Sequence, residues 1–143
     1  MIVARILGGK GREVFTTAPH RTLKEVIDLL AEKGVGAVVV VDASMTVLGI
    51  LSERDVVRVI AQHGATALND QVSRHMTAKV TTITRDATIE HLMQTMTEGR
   101  FRHLPVVEDG RLIGIVSIGD VVKQHVAALD SERQALREYI ATA

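Results

Sequence analysis

Two short stretches of this sequence set a hydroxyl and a carboxylate three residues apart: Ser52-Glu53-Arg54-Asp55 and Ser117-Ile118-Gly119-Asp120. Each follows an apolar run, Val47-Leu48-Gly49-Ile50-Leu51 or Leu112-Ile113-Gly114-Ile115-Val116, and each leads into a Val-Val pair. An apolar strand ending at the Ser and a helix starting near the Asp would bring both side chains to one corner. A carboxylate there can accept hydrogen bonds from sugar hydroxyls. The Ser hydroxyl and the helix N-terminus can together face an anion. The same two residues could equally do no more than cap the helix, the Ser oxygen accepting from a backbone N–H of the first turn.

Other chemistry finds no pattern to carry it. There is no cysteine, which removes disulfides, thiol catalysis and Cys-ligated zinc. The histidines, His20, His63, His75, His91, His103 and His125, form no H-x-x-x-H or H-E-x-x-H pair. Neither Ser52 nor Ser117 lies in a G-x-S-x-G elbow. Gly8-Gly9-Lys10-Gly11 lacks the spacing and the closing Lys-Ser/Thr of a phosphate loop, and reads as a flexible link. An enzyme is therefore not expected, nor a metal site or a catalytic cofactor.

The two corners belong to two copies of one unit. Thr22-Leu23-Lys24-Glu25-Val26-Ile27-Asp28-Leu29-Leu30 aligns with Thr88-Ile89-Glu90-His91-Leu92-Met93-Gln94-Thr95-Met96 at an offset of 66. Apolar residues recur at i, i+3, i+4 and i+7 in both, the mark of one buried helix face, with Thr22 and Thr88 placed as N-caps. Val38–Asp42 then aligns with Leu104–Glu108 as a β-branched strand. A turn one residue shorter in the second copy brings the closing blocks into register at an offset of 65. Val14–Thr17 and Val80–Ile83 read as opening strands. The organisation expected is a first unit at 14–62, a second at 80–128, an N-terminal segment at 1–13, a polar connection at 63–79 and a C-terminal helix at 129–143. Ile2 to Leu7 reads as a docked helical turn. Units of this size are marginal alone, so the two should pack sheet to sheet around one shared core. Leu129, Leu136, Tyr139 and Ile140 fall on one side of the C-terminal helix and should pack on the body or on a partner subunit.

Composition narrows the partners. The chain has 143 residues, 46% apolar and 2% aromatic, so its core is aliphatic and it lacks stacking platforms for single-stranded nucleic acid. Seventeen basic and seventeen acidic residues cancel, eight of each in residues 1–71 and nine of each in 72–143, so neither half is a basic lobe for duplex DNA. The longest unbroken apolar run, Ala37–Val41, is far too short to span a membrane. A cytoplasmic protein without nucleic-acid or membrane partners is expected.

The doubled G-[IV]-x-S-x-x-D-[VI] block resembles the CBS domain. Its best local match is Gly114-Ile115-Val116-Ser117 with Asp120, preceded by Arg102-His103-Leu104-Pro105-Val106-Val107. Two such blocks in tandem resemble a CBS pair, or Bateman module, over roughly residues 14 to 125. The first unit departs from the pattern with Val39 where the second has Pro105. The resemblance implies an α/β (α+β) fold of tandem β-α-β-β-α repeats, packed sheet to sheet with pseudo-twofold symmetry. It also implies two clefts for adenosine-type ligands, a regulatory role toward a partner protein, and a homodimer. AMP is the first ligand expected, with ADP, ATP, S-adenosylmethionine or NAD(H) as others. A protein-interaction or dimerisation module with vestigial clefts is the alternative.

Carried over by the resemblance, Asp55 would hold ribose while Ser52 and Arg54 meet phosphate. They would face Val80, Thr81, Thr82 and Ile83, and Phe101, Arg102, His103, Leu104 and Pro105. Val80 and Phe101 would sandwich the adenine. A second, weaker cleft would combine Ser117 and Asp120 with Thr16, Thr17, Gly36, Ala37 and Val38. It has fewer cations, with Lys10, Arg12 and Arg21 near it only in sequence.

Overall fold

The computed structural model describes residues 2–10 and 14–142. Helix α1 (Val3–Lys10) leads to strand β1 (Thr16–Thr17), helix α2 (Leu23–Lys33), strands β2 (Ala37–Val41) and β3 (Val47–Ser52), and helix α3 (Glu53–His63). A 3-10 turn (Ala65–Asn69) and the short helix α4 (Val72–His75) connect to helix α5 (Ile89–Gly99), strands β4 (His103–Glu108) and β5 (Arg111–Ser117), and helix α6 (Ile118–Thr142).

The paired helices α2 and α5 follow their apolar spacing. Leu23, Val26 and Leu30 are buried on one, and Ile89, Leu92 and Met96 on the other. Thr22 and Thr88 are N-caps, their hydroxyl oxygens accepting from Glu25 N–H at 3.2 Å and His91 N–H at 3.1 Å. Both helices stop in a left-handed residue, Gly34 at φ 63° and Arg100 at φ 56°.

In the first unit β1 runs parallel to β2, which pairs antiparallel with β3. In the second, β4 and β5 form an antiparallel pair. The opening strands are shorter than the sequence suggests. Only Thr16 and Thr17 of the first are strand, and the expected strand Val80–Ile83 reduces to a single parallel bridge between Ile83 and Val106. Ile83 is buried in the second core, whereas the polar Thr81 and Thr82 are exposed and leave the sheet. The bridge still obeys the repeat, since Thr17 pairs with Val40 at the equivalent place.

The expected single shared core is instead three clusters. Each unit has its own, around Leu23, Val38 and Leu51 in the first and Leu92, Leu104 and Val116 in the second. Burying each such leucine is worth about 1.5–3 kcal/mol. A smaller cluster of Val39, Val41 and Leu112 joins the sheets.

Both ends of the expected repeat are extended by a helical cover. Ala67 of the 3-10 turn and Val72 of α4 complete the first core, and α1 inserts Val3, Ile6 and Leu7 into the second. The attachments match. Gln71 bridges to Thr22 as Ile2 bridges to Thr88. Met76 lies directly on Gly49 of β3, and Leu7 lies on Gly114 of β5. A β-carbon at either glycine would collide with the covering side chain. The docked turn at Ile2–Leu7 is thus the start of a longer helix. Gly8, Gly9 and Lys10, expected as a link, are its last turn because Leu7 is pulled down onto β5. Gly11 and Arg12 lie outside the described residues. Near the end of the connection, His75 Nε2 is hydrogen-bonded to Asp70 Oδ2 at 2.8 Å, and the His63 ring sits 5.3 Å from that of His75.

Helix α6 is continuous over 25 residues, with Val121 buried at its start. Its later apolar residues, Leu129, Leu136, Tyr139 and Ile140, do not pack on the body and are exposed. Among the described residues no helix is long and apolar enough to cross a membrane.

Candidate functional site

The Ser-x-x-Asp corners are where each antiparallel pair hands over to a helix. Strand β3 ends at Ser52, whose extended backbone (φ −104°, ψ 165°) starts α3. Ser52 Oγ accepts from Asp55 N–H at 3.2 Å, and Asp55 Oδ2 accepts from Ser52 N–H at 2.9 Å and from the Ser52 hydroxyl at 3.0 Å. Arg58, one turn on, donates to Asp55 Oδ1 at 2.9 Å. The second corner repeats the backbone bonds: Ser117 N–H to Asp120 Oδ2 at 2.9 Å, and Asp120 N–H to Ser117 Oγ at 3.2 Å. The capping reading of both corners is therefore realised. Three of the roughly four lone-pair directions of the Asp55 carboxylate are taken. A sugar hydroxyl reaching it would use the remaining direction or share Oδ1 with Arg58.

The strand starts are tied to the helix starts in the same doubled fashion. Glu53 N–H donates to Gly36 O at 2.9 Å, and Ile118 N–H donates to Arg102 O at 2.8 Å. Residues of both corners line one cavity of about 650 Å³, a size suited to a small-molecule ligand. The first unit contributes Gly36, Ile50, Ser52 to Asp55, and Arg58. The connection contributes Thr77 and Lys79. The second unit contributes Val80, Thr81, Arg100 to Leu104, and Ser117 to Gly119.

Nine of the residues expected in the main cleft thus meet in this cavity: Ser52, Arg54, Asp55, Val80, Thr81, Phe101, Arg102, His103 and Leu104. Thr82, Ile83 and Pro105 are not on its wall. Ile83 and Pro105 are buried, and Ile83 belongs to the second core. Gly36 and Ser117, expected in the second cleft, line this cavity, and the His103 ring of β4 lies against Gly36. Thr16, Thr17, Ala37, Val38 and Asp120 are not among its lining. Ala37 and Val38 are buried, Val38 within the first core. Phe101 lines the cavity, and its ring also lies on Gly99 and against the second core, which fixes its plane.

Sequence reasoning missed Arg58, Lys79 and Arg100 as wall residues. Arg58 could have been found, since it lies three residues beyond Asp55 on the same helix face. Arg100 could have been found as the repeat partner of Gly34. The wall holds five cationic side chains, Arg54, Arg58, Lys79, Arg100 and Arg102, against the carboxylates of Glu53 and Asp55. Among the described residues, only Arg58 of the five is in an ion pair.

This geometry defines a tandem α/β repeat with a cation-lined cavity between its halves. The model of the CBS domain matches residues 11–62 and 71–126, so the chain belongs to the CBS domain family. It is similar to the CBS domain-containing protein CBSX3, mitochondrial, of Arabidopsis thaliana, at 37% identity over 123 residues. That match covers 83% of this chain but 60% of the relative, so the chain spans only part of that protein's length. Among solved structures, the CBS-domain containing protein ATU1752 from Agrobacterium tumefaciens superposes with a TM-score of 0.84 at 47% identity, covering 87% of this chain and 99% of that one. The CBS domain protein PAE2072 from Pyrobaculum aerophilum, complexed with AMP, shares the fold with a TM-score of 0.75 at 24% identity, covering 84% and 89%.

Proposed function

We propose that this protein is a regulatory, non-catalytic module that binds an adenine nucleotide in the cavity between its units and modulates a partner protein. The observation that carries the reading is the convergence of Asp55, a sugar acceptor, with Arg54 and Arg102 on facing units around one small-molecule-sized cavity. Asp55 takes the ribose, the guanidinium groups take the phosphate in charge-assisted bonds, and Val80 and Phe101 offer apolar surface to the base. AMP, found in the Pyrobaculum aerophilum protein, is the simplest such ligand, with ADP, ATP and NAD(H) as extensions of it. A ligand touching both halves can stabilise only the arrangement for which it has the greater affinity, and that difference is the signal a partner reads. The absence of cysteine accords with a reducing compartment, and the cytoplasm is the one we propose. Calorimetric titration with AMP, ADP, ATP, NAD and NADH tests the reading. Binding of none of them in the sub-millimolar range overturns it.

A homodimer is the second part of the reading, and α6 favours it. Val122, Val126, Leu129, Leu136 and Ile140 are exposed and, with Arg133, follow alternating spacings of four and three. This is a heptad seam with Val126, Arg133 and Ile140 at a and Val122, Leu129 and Leu136 at d: β-branched a residues with Leu at d favour a parallel two-stranded coil, and the charged Arg133 at the central a lowers its stability. In that pairing Glu132 of one copy flanks Arg137 of the other, with opposite charges. Sedimentation equilibrium should show a dimer that Leu136→Lys dissociates. A wild-type monomer at high concentration overturns this part alone.

A further inference from the structure

The left-handed residue that ends α5 has a counterpart in the other unit, and the two differ in a way the backbone does not require. Gly34 and Arg100 occupy the same position of the repeat, each after the last turn of its helix, at φ 63°, ψ 35° and φ 56°, ψ 35°. Each caps its helix with the same bond, from its own N–H to Leu30 O or Met96 O. Glycine adopts this conformation freely, whereas a residue with a β-carbon is strained in it. Capping alone would therefore favour glycine in both units. A strained position kept by a bulky side chain points to work done by that side chain. At Arg100 the side chain is on the cavity wall, beside Arg102, whose own counterpart is Gly36.

The charge on that wall exceeds what a monophosphate needs. Arg54, Lys79, Arg100 and Arg102 have no ion-pair partner among the described residues, and Arg58 is held by Asp55. Five cations against two carboxylates leave three positive charges facing one cavity. A phosphomonoester brings about two negative charges at neutral pH, and a longer phosphate chain brings more. Unneutralised cations crowded together repel one another, so the ligand that fits best is the more anionic one. A sulfonium ligand such as S-adenosylmethionine adds to the repulsion.

We propose that Arg100 is a specificity-determining residue that makes this cavity select an adenosine di- or triphosphate over the monophosphate and over cationic adenosine ligands. The inference rests on the nucleotide reading above and names the ligand within it.

Calorimetry with ATP, ADP, AMP and inorganic tripolyphosphate, on the wild type and on Arg100→Gly, tests it. The wild type should bind ATP and ADP more tightly than AMP by about tenfold or more, the scale of one charge-assisted hydrogen bond. Arg100→Gly should erase most of that preference while changing AMP affinity by less than about threefold. The variant's ligand-free melting point should hold or rise, since glycine relieves the strained backbone. Equal wild-type affinity for AMP and ATP overturns the proposal, as does an equal loss for all three nucleotides. Tripolyphosphate binding that depends on Arg100, with no nucleotide bound, would keep the charge selectivity and overturn the nucleotide reading. No binding by any of the four overturns both.

Discussion

The His103 ring lies against Gly36, with its Nε2 3.3 Å from where a β-carbon on Gly36 would stand. The start of β4 thus touches the residue before β2, and the two units meet where a side chain is missing. Glu53 Oε1 is 3.7 Å from the same point. The backbone of Gly36 is not in the left-handed region, so only space opposes a larger residue there. Gly36→Val should crowd His103 and Glu53 into the cavity. Calorimetry should then show nucleotide affinity reduced by about tenfold, equivalent to roughly 1.4 kcal/mol, with little change in melting point. Unaltered affinity would place the ligand elsewhere.

The two corners allow a matched comparison. Asp55 and Asp120 accept the same backbone bond from the serine before their helix, so Asp55→Ala and Asp120→Ala should each destabilise the ligand-free protein, by about 1 kcal/mol for that shared bond. Only Asp55 is on the cavity wall. Nucleotide at a hundredfold its dissociation constant should stabilise the wild type by roughly 2.7 kcal/mol. Asp120→Ala should keep most of that gain in a melting experiment. Asp55→Ala and Arg102→Ala should lose most of it. The reverse order would assign the ligand to the other corner.

Much of this site could be read from the chain because its parts recur in register. The repeat alone marks the Thr22 and Thr88 caps, the paired strands and the Ser-x-x-Asp corners. What could not be read depends on approach through space. Met76 on Gly49 and Leu7 on Gly114 each join a strand to a short segment outside the repeat, and segments that short carry too little periodic signal to show which strand they cover. Gly8 and Gly9 look like breakers, yet Leu7 on β5 holds their turn in a helix. Gly36 reads from sequence as part of a separate cleft, because sequence cannot show that it lies against His103 of the other unit.

Those glycine contacts predict unequal costs. At Gly49 an added β-carbon would strike Met76 and also come within 3.0 Å of the Thr77 carbonyl oxygen, which is backbone and cannot swing away. At Gly114 it would meet only Leu7, at 2.8 Å. Gly49→Ala should therefore destabilise by about 1–3 kcal/mol, and Gly114→Ala by less. Chemical denaturation of the two variants measures the difference, and equal costs would contradict this account of the covers.

Acid stability should depend on Asp70. Its carboxyl is held below the ordinary value of 3.8, first by the hydrogen bond from His75 and then by the charges of Arg74, His75 and His63, against the opposing effect of desolvation. A group with a depressed folded pKa stabilises the fold above its unfolded value. That contribution is lost as pH falls from 3.8 through the lower folded value. Asp70→Asn should lower the melting point at neutral pH and flatten its decline below pH 3.8. A parallel decline in both proteins would show that the Asp70–His75 pair does not contribute.

The covers also set an order of assembly. The 3-10 turn and α4 follow directly after the first unit, so that half can complete its interior as soon as they emerge. The second half is completed by α1, which precedes the whole first unit in the chain and has no home until β5 exists. During synthesis Val3, Ile6 and Leu7 must wait, exposed, while more than a hundred residues follow them. A helix made before either sheet is thus among the last to settle.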